Sequence, residues 1–190
     1  MTFGDQLMTA GITLHCPRCE RQFAPGGQTR CLEHDEPAVL ELSYDIDAMR
    51  DQFDPDFSGS SLWRYRELLP VDGTSPVTLG EGWTDLVAAP TTGAALGVDL
   101  SLKLEGNNPT GSAKDRGSTV VATRAKSRGC TGVICASTGN AAASIAAYAA
   151  RGNLECSLFV PERLPEAKAI QPRVYGADLI TVEGSYGDAY

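Results

Sequence analysis

The sequence lacks the features that would place this protein in a membrane or on nucleic acid. No stretch of its 190 residues approaches the ~18 consecutive apolar residues of a membrane helix. Residues 1–11 contain neither the basic region nor the long apolar run of a secretory signal. With 16 basic against 24 acidic residues, the formal net charge is −8, which argues against binding to nucleic-acid phosphates. We therefore expect a cytoplasmic protein.

Six cysteines occur without a secretory signal, so a disulfide framework is not expected. Cys130, Cys135 and Cys156 adjoin apolar runs and are predicted to be buried as small hydrophobic side chains. The others form, with a histidine, two ligand pairs that each enclose two residues: Cys16 with Cys19, and Cys31 with His34. Such a set suits tetrahedral zinc, which could fold a segment too short for its own core. The alternative is a lost metal, because Glu20 and Asp35 stand where glycine usually permits the tight turn.

The chain divides into three parts by composition. Residues 1–45 hold the zinc-ribbon-like segment, residues 46–80 form a connector, and residues 81–190 form a larger α/β part. In the connector, apolar side chains at positions 62, 65, 68 and 69 give one helical stripe that Pro70 ends. This pattern predicts a helix that docks on the main domain, and a helix that binds a partner is the alternative.

Strand and helix patterns alternate from about Leu100 onward. The predicted strands cover residues 100–104, 132–136, 157–160 and 178–182, and the predicted helices cover 115–128, 140–151 and 165–175. Crossovers of this length imply a parallel sheet with helices on its faces. Residues 183–190 look like the start of another helix, so we expect a fragment or a truncated form of a longer polypeptide.

The loop Asn108-Pro-Thr-Gly-Ser112-Ala-Lys114-Asp-Arg-Gly117 is the most informative segment. The chain has only four lysines, which are Lys103, Lys114, Lys126 and Lys168. Lys114 stands out among them because it lies on a glycine-flanked loop. Ser112 can cap a helix that begins here and carries Lys114 in its first turn. Near the positive helix end, and partly desolvated, this amine is readier to act as a nucleophile. The alternative is an ordinary surface lysine.

Gly106 and Gly111 have the spacing of the two glycines in a nucleotide-binding phosphate loop. That motif requires a lysine directly after its second glycine, where this chain has Ser112. We therefore exclude a nucleotide hydrolase of this type.

A second loop, Ser137-Thr-Gly-Asn140, lies between a predicted strand and a predicted helix. Unpaired backbone N–H groups and the dipole at a helix start favour an anion, so this loop is suited to bind a carboxylate. The alternative is a capped helix start without a ligand. The small residues 141–143 that follow would let the helix pack closely on the sheet.

Together the two loops resemble the pyridoxal-phosphate (PLP) enzymes of fold type II, the tryptophan-synthase-β-like family, and most closely its threonine synthases. Trp63-Arg-Tyr65, Thr78-Leu-Gly-Glu81-Gly-Trp-Thr84 and the cysteine-rich ribbon support this resemblance. It implies a three-layer α/β fold with a parallel sheet, of which this chain holds the N-terminal part. Three residues depart from the family pattern and leave the substrate open: Asp85 for proline, Ala113 for phenylalanine and Ala141 for a frequent threonine.

The resemblance also implies an activity and a role for each loop. A lyase of threonine biosynthesis would convert O-phospho-L-homoserine and water to L-threonine and phosphate. Lys114 would hold PLP covalently and, once the substrate amine displaces it, act as the base, while Asn140 would contact the cofactor's ring oxygen. Arg116 would assist a substrate phosphate or, equally, form a structural ion pair. The substrate carboxylate would be bound by the second loop: Ser137, Thr138 and Gly139.

Several alternatives stay open. One is another fold type II enzyme, such as a threonine or serine dehydratase, a cysteate synthase or a cysteine synthase. A different class is a truncated, inactive homologue that serves as a zinc-ribbon binding module. In this family, the loop that binds the cofactor phosphate and the partner of the pyridine nitrogen belong to the second half of the fold. We therefore expect the 190-residue chain by itself to bind PLP weakly or not at all. The oligomeric state is also open, a homodimer being one alternative.

Overall fold

The structure, a computed structural model, describes residues 11–23, 28–50, 59–71, 75–184 and 187. These residues form two compact units: one comprises residues up to 50 together with 65–71, and the other comprises 59–64 together with those from 75 onward. Among the described residues, the longest helix has 14 residues, and none is long and apolar enough to cross a bilayer. The helix predicted to begin at residue 183 lies largely outside the described residues.

The first unit consists of short strands and one short helix. Its elements are β1 Ile12–His15, β2 Gln22–Phe23, β3 Arg30–Cys31, β4 Ala38–Val39, β5 Glu41–Tyr44 and α1 Ile46–Arg50. Strand β1 pairs antiparallel with β2 and β5, and β3 pairs antiparallel with β4. Its small core consists of Leu14, Cys16, Cys31, Ala38 and Leu40. Two of these residues, Cys16 and Cys31, are predicted metal ligands. So few apolar side chains cannot by themselves stabilise a domain, which is why a metal would matter here.

The predicted connector helix is wrong in type. Residues Leu62–Leu68 form a 3-10 helix with a break at Tyr65, and none of its residues is buried. Trp63 explains part of the difference, because its indole N–H donates to the buried carboxylate of Glu81. Tertiary hydrogen bonds of this kind outweigh a weak helical propensity. Docking on the main domain and binding to a partner both stay untested predictions.

The second unit contains the predicted parallel sheet, with the strand order β10-β9-β8. Its strands are β8 Gly132–Ala136, β9 Glu155–Pro161 and β10 Asp178–Val182, all parallel. Helices α3 Lys114–Ser127, α4 Asn140–Gly152 and α5 Glu166–Val174 alternate with them along the chain. These bounds confirm the predicted alternation of helices and strands. Helix α4 ends with Asn153 in the left-handed conformation.

One predicted strand of the sheet pairs elsewhere. Strand β7 Ser101–Lys103 pairs antiparallel with β6 Leu86–Ala88, and α2 Pro90–Leu96 lies between them in the chain. The prediction of a strand over residues 100–104 is therefore right in position but wrong in assigning it to the parallel sheet. A three-residue strand carries no period that distinguishes these two sheets.

The core of the second unit lies between α4 and the sheet. Alanine-rich α4 packs small side chains against the central strand β9, and the group is Ala142, Ile145, Ala146, Ala149, Cys156, Leu158 and Val160. Burial raises the pKa of the Cys156 thiol to about 11. The prediction of buried thiols holds for Cys156, whereas Cys135 is half-buried and Cys130 is exposed. Cys130 differs because it follows the turn after α3, at Gly129, rather than lying within a strand.

Candidate functional site

Helix α3 begins at Lys114, so Lys114 lies in its first turn as predicted, but the N-cap residue is Ala113, without a side-chain cap, rather than the predicted Ser112. The buried Ser112 hydroxyl accepts the Lys114 backbone N–H at 3.3 Å. The carboxylate of Asp115 turns back to the loop and accepts the N–H of Thr110 at 2.7 Å as well as its hydroxyl. Lys114 itself is exposed, so the expectation of partial desolvation is wrong for this chain. The fully buried residue of this first turn is Asp115.

Asn108 connects the Lys114 loop to the segment around Gly82. Its side-chain oxygen accepts the Gly82 N–H at 3.0 Å, and its amide donates to the backbone oxygen and the carboxylate of Glu105. Asp85, one of the departures from the family pattern, accepts the Asn107 amide at 2.8 Å. Asp85 therefore has a structural contact beside the motif, and the missing proline does not disrupt the loop.

Arg116 forms an ion pair. Its guanidinium donates to both carboxylate oxygens of Glu105, at 2.9 and 2.8 Å, and to the Thr84 hydroxyl at 3.3 Å. The hydrogen bonds from Arg116 are the main reason that the pKa of Glu105 falls to about 2. Of the two roles predicted for Arg116, this geometry agrees with the structural one.

The second loop follows the carboxyl end of β8 and leads into α4, which begins at Asn140. Ser137 and Thr138 are half-buried, whereas Gly139 and Asn140 are exposed. The Gly139 N–H donates to the Ser137 hydroxyl at 3.3 Å, while the first N–H groups of α4 have no partner within the helix. The loop thus presents donors at the strand end where open α/β sheets bind ligands.

Polar contacts bring the starts of α3 and α4 together. The Ser144 hydroxyl of α4 donates to the Asp115 carboxylate at 2.6 Å, and it lies 2.7 Å from the Ser118 hydroxyl. Asp115 follows Lys114, and Ser144 is one turn after Asn140. The two predicted site residues therefore begin neighbouring helices.

Glu81 is a buried carboxylate that sequence reasoning missed. It is fully buried and accepts the Trp63 indole N–H at 2.8 Å, the Tyr148 hydroxyl at 2.7 Å and the Leu79 N–H at 3.0 Å. Burial acts to raise the pKa of Glu81, but hydrogen bonding that involves Thr119 and Tyr148 outweighs it and keeps this pKa below its usual value. A single glutamate between two glycines carries no periodic signal of such burial, so no local pattern could have revealed it.

Residues 77–190, more than half of the chain, match the family model described as "Pyridoxal-phosphate dependent enzyme". The chain belongs to this family of PLP-dependent enzymes. This confirms the predicted family. Solved structures of PLP-dependent enzymes also resemble this chain. Threonine deaminase isoform 2 from Solanum lycopersicum is 27% identical with a TM-score of 0.51, over 56% of this chain and 31% of that chain. Together the two findings confirm the predicted fold type II class.

Curated relatives of this PLP-dependent enzyme include several threonine synthases. The threonine synthase of Mycobacterium leprae (strain TN) is 48% identical over 126 residues, which cover 65% of this chain and 35% of the relative. That of Methanocaldococcus jannaschii is 43% identical over 157 residues, which cover 80% of this chain and 39% of the relative. The chain therefore spans between a third and two fifths of the length of these relatives.

The described residues of this PLP-dependent enzyme fit part of a cofactor site. A covalent anchor needs an accessible amine, and the Lys114 ammonium is exposed and makes no hydrogen bond to any residue within the described ranges. Lys103, by contrast, donates to the backbone oxygen of Thr84. The donors at the start of α4 suit an anionic group of a ligand. Lys114 and Asn140 are thus the residues that could hold the cofactor.

The four predicted metal ligands come together in the first unit. Ligand atoms of Cys16, Cys19, Cys31 and His34 all lie within 4.8 Å of one another. The Cys16 sulfur lies 3.2 Å from the His34 Nε2, and the Cys19 and Cys31 sulfurs are 4.0 Å apart. Ligands of a tetrahedral zinc ion stand roughly 3.5 to 4 Å apart, so this set fits zinc.

Two details of the knuckles favour a metal at this cluster. Glu20 adopts φ +56°, the left-handed conformation that glycine usually supplies at this position, so the missing glycine does not prevent the turn. Burial acts to raise the pKa of Cys16, but the N–H groups of Arg18 and Cys19 and the His34 ring outweigh it and hold this pKa at about 6. A thiolate is the form that binds zinc.

Proposed function

We propose that this protein acts as a threonine synthase, a PLP-dependent lyase that converts O-phospho-L-homoserine and water to L-threonine and phosphate. The observation that carries the proposal is the pairing of Lys114 and Asn140 at the starts of two neighbouring helices, which Asp115 and Ser144 connect. The threonine synthases among the relatives support the choice of reaction.

Lys114 has two roles in this proposal. Its exposed amine would hold the cofactor, and once the substrate amine has replaced it, the freed amine would remove the proton from the substrate Cα. PLP, when bound, supplies an electron sink for the carbon that loses this proton. Lys114 would then take a proton from Cβ, so that the γ-phosphate can leave from Cγ, and would return protons to Cγ and Cα. The hydroxyl of water adds at Cβ, and the remaining proton of that water goes to the released phosphate.

The loop before α4 positions the substrate. In the proposal, Ser137 and Thr138 bind the α-carboxylate together with the N–H groups of the helix start. Gly139 allows the ligand a close approach, because apart from its chain neighbours no atom lies within 4 Å of a Cβ added there. Asn140 contacts the cofactor's ring oxygen. A contact of Arg116 with a substrate phosphate stays an untested prediction, and its ion pair with Glu105 favours the structural alternative.

Reductive trapping tests the role of Lys114. Incubation of the chain with PLP, reduction with borohydride and peptide mass spectrometry report which of the four lysines forms an imine. We expect the label on Lys114, its loss in Lys114→Ala, and its retention in the matched variant Lys126→Ala. Equal labelling of Lys103, Lys126 and Lys168 would contradict the proposal. Borohydride reduction converts the imine to a stable amine, so labelled chain builds up even when PLP binds weakly.

A product assay separates this function from its nearest rival. The similarity to a threonine deaminase structure makes a dehydratase the alternative enzyme, and it would form a ketoacid from threonine or serine. A threonine synthase releases phosphate from O-phospho-L-homoserine and forms no ketoacid. A binding module would give neither product, and Lys114→Ala would leave its properties unchanged.

We further propose that the first unit binds one structural zinc ion through Cys16, Cys19, Cys31 and His34. The compact cluster of their ligand atoms supports this. All four coordination positions are taken by protein, so the ion has no open position for a substrate. Metal analysis of the purified chain should find one zinc per chain, and Cys19→Ser should lose it. The exposed Cys130 offers the control, since Cys130→Ser should keep the metal.

Four broader predictions complete the proposal. Six free cysteines suit a reducing compartment, which supports a cytoplasmic location. The division into a zinc-ribbon-like segment at 1–45, a connector at 46–80 and a catalytic part at 81–190 stays a prediction, as does a homodimer. Absence of nucleic-acid binding is likewise predicted from the net charge of −8.

A further inference from the structure

The two helices that begin at Lys114 and Asn140 are joined differently at their two ends. Further along the helices, Ala122 of α3 packs in an apolar cluster with Ala147 and Tyr148 of α4 and with Val77, which lies outside both helices. At the end that carries Lys114 and Asn140, the contact is made by Asp115, Ser118 and Ser144, all buried. Apolar contacts tolerate small shifts, whereas hydrogen bonds require narrow distances and angles, so this end of the helix pair is held more strictly.

Burial of the Asp115 carboxylate costs free energy that its hydrogen bonds must offset. It is 0% exposed, and no lysine or arginine pairs with it among the residues that the structure describes. Its carboxylate is satisfied by neutral donors instead: the N–H and hydroxyl of Thr110, and the hydroxyl of Ser144. Because an unsatisfied buried carboxylate is strongly unfavourable, these three donors and Asp115 are constrained to move together.

A second connection lies one turn further along both helices. Tyr148 of α4 donates to Glu81 at 2.7 Å, and Trp63 donates to both Glu81 and Thr119 of α3, at 2.8 and 2.9 Å. Thr119 lies four residues after Asp115 in α3, and Tyr148 lies four residues after Ser144 in α4. Trp63 and Glu81 connect Thr119 to Tyr148. The helices therefore run in the same direction with a fixed register.

We propose that Asp115 and Ser144 are positioning residues that hold Lys114 at a fixed separation from Asn140 by connecting the first turns of α3 and α4. Asp115 follows Lys114 directly, so a shift of its carboxylate moves the Lys114 backbone. Ser144 lies one turn after Asn140 in α4, so a shift of Ser144 moves the start of that helix and the loop before it. The inference rests on the proposed cofactor role of Lys114. The new element is that the neighbouring helix α4 fixes the position of this lysine.

Selective labelling of Lys114 tests the positioning role. In Ser144→Ala and Asp115→Asn, the ratio of Lys114 to Lys126 labelling by PLP and borohydride should fall about ten-fold, because small displacements strongly reduce the rate of a positioned amine. Ser144→Ala changes no charge, so it separates the effect of position from that of the neighbouring carboxylate. Thr123→Val is the matched control. It removes a buried hydrogen bond of α3, to the Val77 N–H, without touching α4, and should change the ratio less than about two-fold.

Amide hydrogen exchange provides the second measurement, without the cofactor. Asp115→Asn should raise exchange about ten-fold at residues 144–147, although the substitution lies on the other helix. Thr123→Val should not do so. If both folded variants keep the wild-type labelling ratio, the positioning role is overturned. If the wild-type chain itself shows no preference for Lys114, the proposed cofactor role fails, and the connection between the helices is then supported or overturned by the exchange at residues 144–147 alone.

Discussion

Gly82 is the residue that allows two distant segments to meet beside the Lys114 loop. Its φ of +91° is one that other residues rarely adopt, and a Cβ at this position would lie 2.7 Å from the Leu62 nitrogen. The Leu62 N–H donates to the Glu81 backbone oxygen at 2.8 Å, so the close approach is part of a hydrogen-bonded contact. The Leu62 nitrogen therefore cannot move away from an added Cβ without breaking this hydrogen bond, because backbone is less adaptable than a flexible side chain.

Gly82→Ala should therefore lower the free energy of unfolding by about 2 to 4 kcal/mol, from left-handed strain and the clash with Leu62. Gly80→Ala is the control, because Gly80 has φ +87° but no atom within 4 Å of its added Cβ. It should cost only about 1 to 2 kcal/mol. Urea unfolding followed by the fluorescence of Trp63 and Trp83 measures both values. Equal losses would show that the close approach to Leu62 is unimportant.

The ion pair of Glu105 and Arg116 predicts a dependence of stability on pH. The pKa of Glu105 falls from 4.5 to about 2 in the folded chain, chiefly through the hydrogen bonds from Arg116. A lowered pKa stabilises the fold above the unfolded value, and this contribution disappears as the pH falls toward 2. Glu105→Gln should thus cost about 1 to 3 kcal/mol near pH 7, and the difference from wild type should shrink between about pH 4.5 and pH 2.

Chemical unfolding at a series of pH values measures this difference. Glu162→Gln is a suitable control because Glu162 is exposed, and its stability should follow the wild type throughout. A Glu105→Gln deficit that stays constant down to pH 2 would mean that the carboxylate charge does not stabilise the fold.

At the scale of elements, the parallel sheet has one central strand and two edges. Strand β9 lies between β10 and β8, and its side chains alternate between buried and half-buried along the strand. Leu158 in β9 is 0% exposed and contacts α4, whereas Ile134 in the edge strand β8 is 74% exposed. Two apolar side chains of the sheet thus contribute unequally, because Leu158 is buried against α4 whereas Ile134 is exposed to solvent.

Leu158→Ala should lower the free energy of unfolding by about 2 to 5 kcal/mol, through lost burial and a cavity under α4. Ile134→Ala removes similar apolar volume from an exposed position and should change stability by less than about 0.5 kcal/mol. Thermal or urea unfolding of the two variants compares them directly. A large loss from Ile134→Ala would show that this edge of the sheet is covered in solution.

At the scale of the whole molecule, the described residues form two units that are stabilised differently. The second has an apolar core between α4 and the sheet, whereas the first has a small core that includes the thiols Cys16 and Cys31. Without a metal, two adjacent buried thiolates would repel each other. The Glu33 N–H acts to lower the pKa of Cys31, but burial and the neighbouring Cys16 and Cys19 outweigh it and raise this pKa. A divalent ion removes that repulsion.

Removal of the proposed zinc ion by a chelator should therefore unfold the first unit and spare the second. Amide exchange of strands β1 and β5 should approach that of an unfolded chain, while exchange in α4 and β9 should stay slow. Cys31→Ser should reproduce the effect without a chelator, and Cys130→Ser should not. Unchanged protection of β1 after complete removal of the metal would contradict a structural role for zinc.

The sequence by itself determined the alternation of helices and strands from residue 132 onward, the loop that starts α3 and the four candidate metal ligands. These features are local: a period, a cap or a ligand spacing is complete within a few residues. Only the tertiary structure decided that Glu81 is buried, that β7 pairs with β6, and that Asp115 rather than Lys114 is buried at the start of α3. Such features depend on partners far along the chain, as with Glu81 and Tyr148, which are 67 residues apart. No local pattern encodes contacts between residues that meet only when the chain folds.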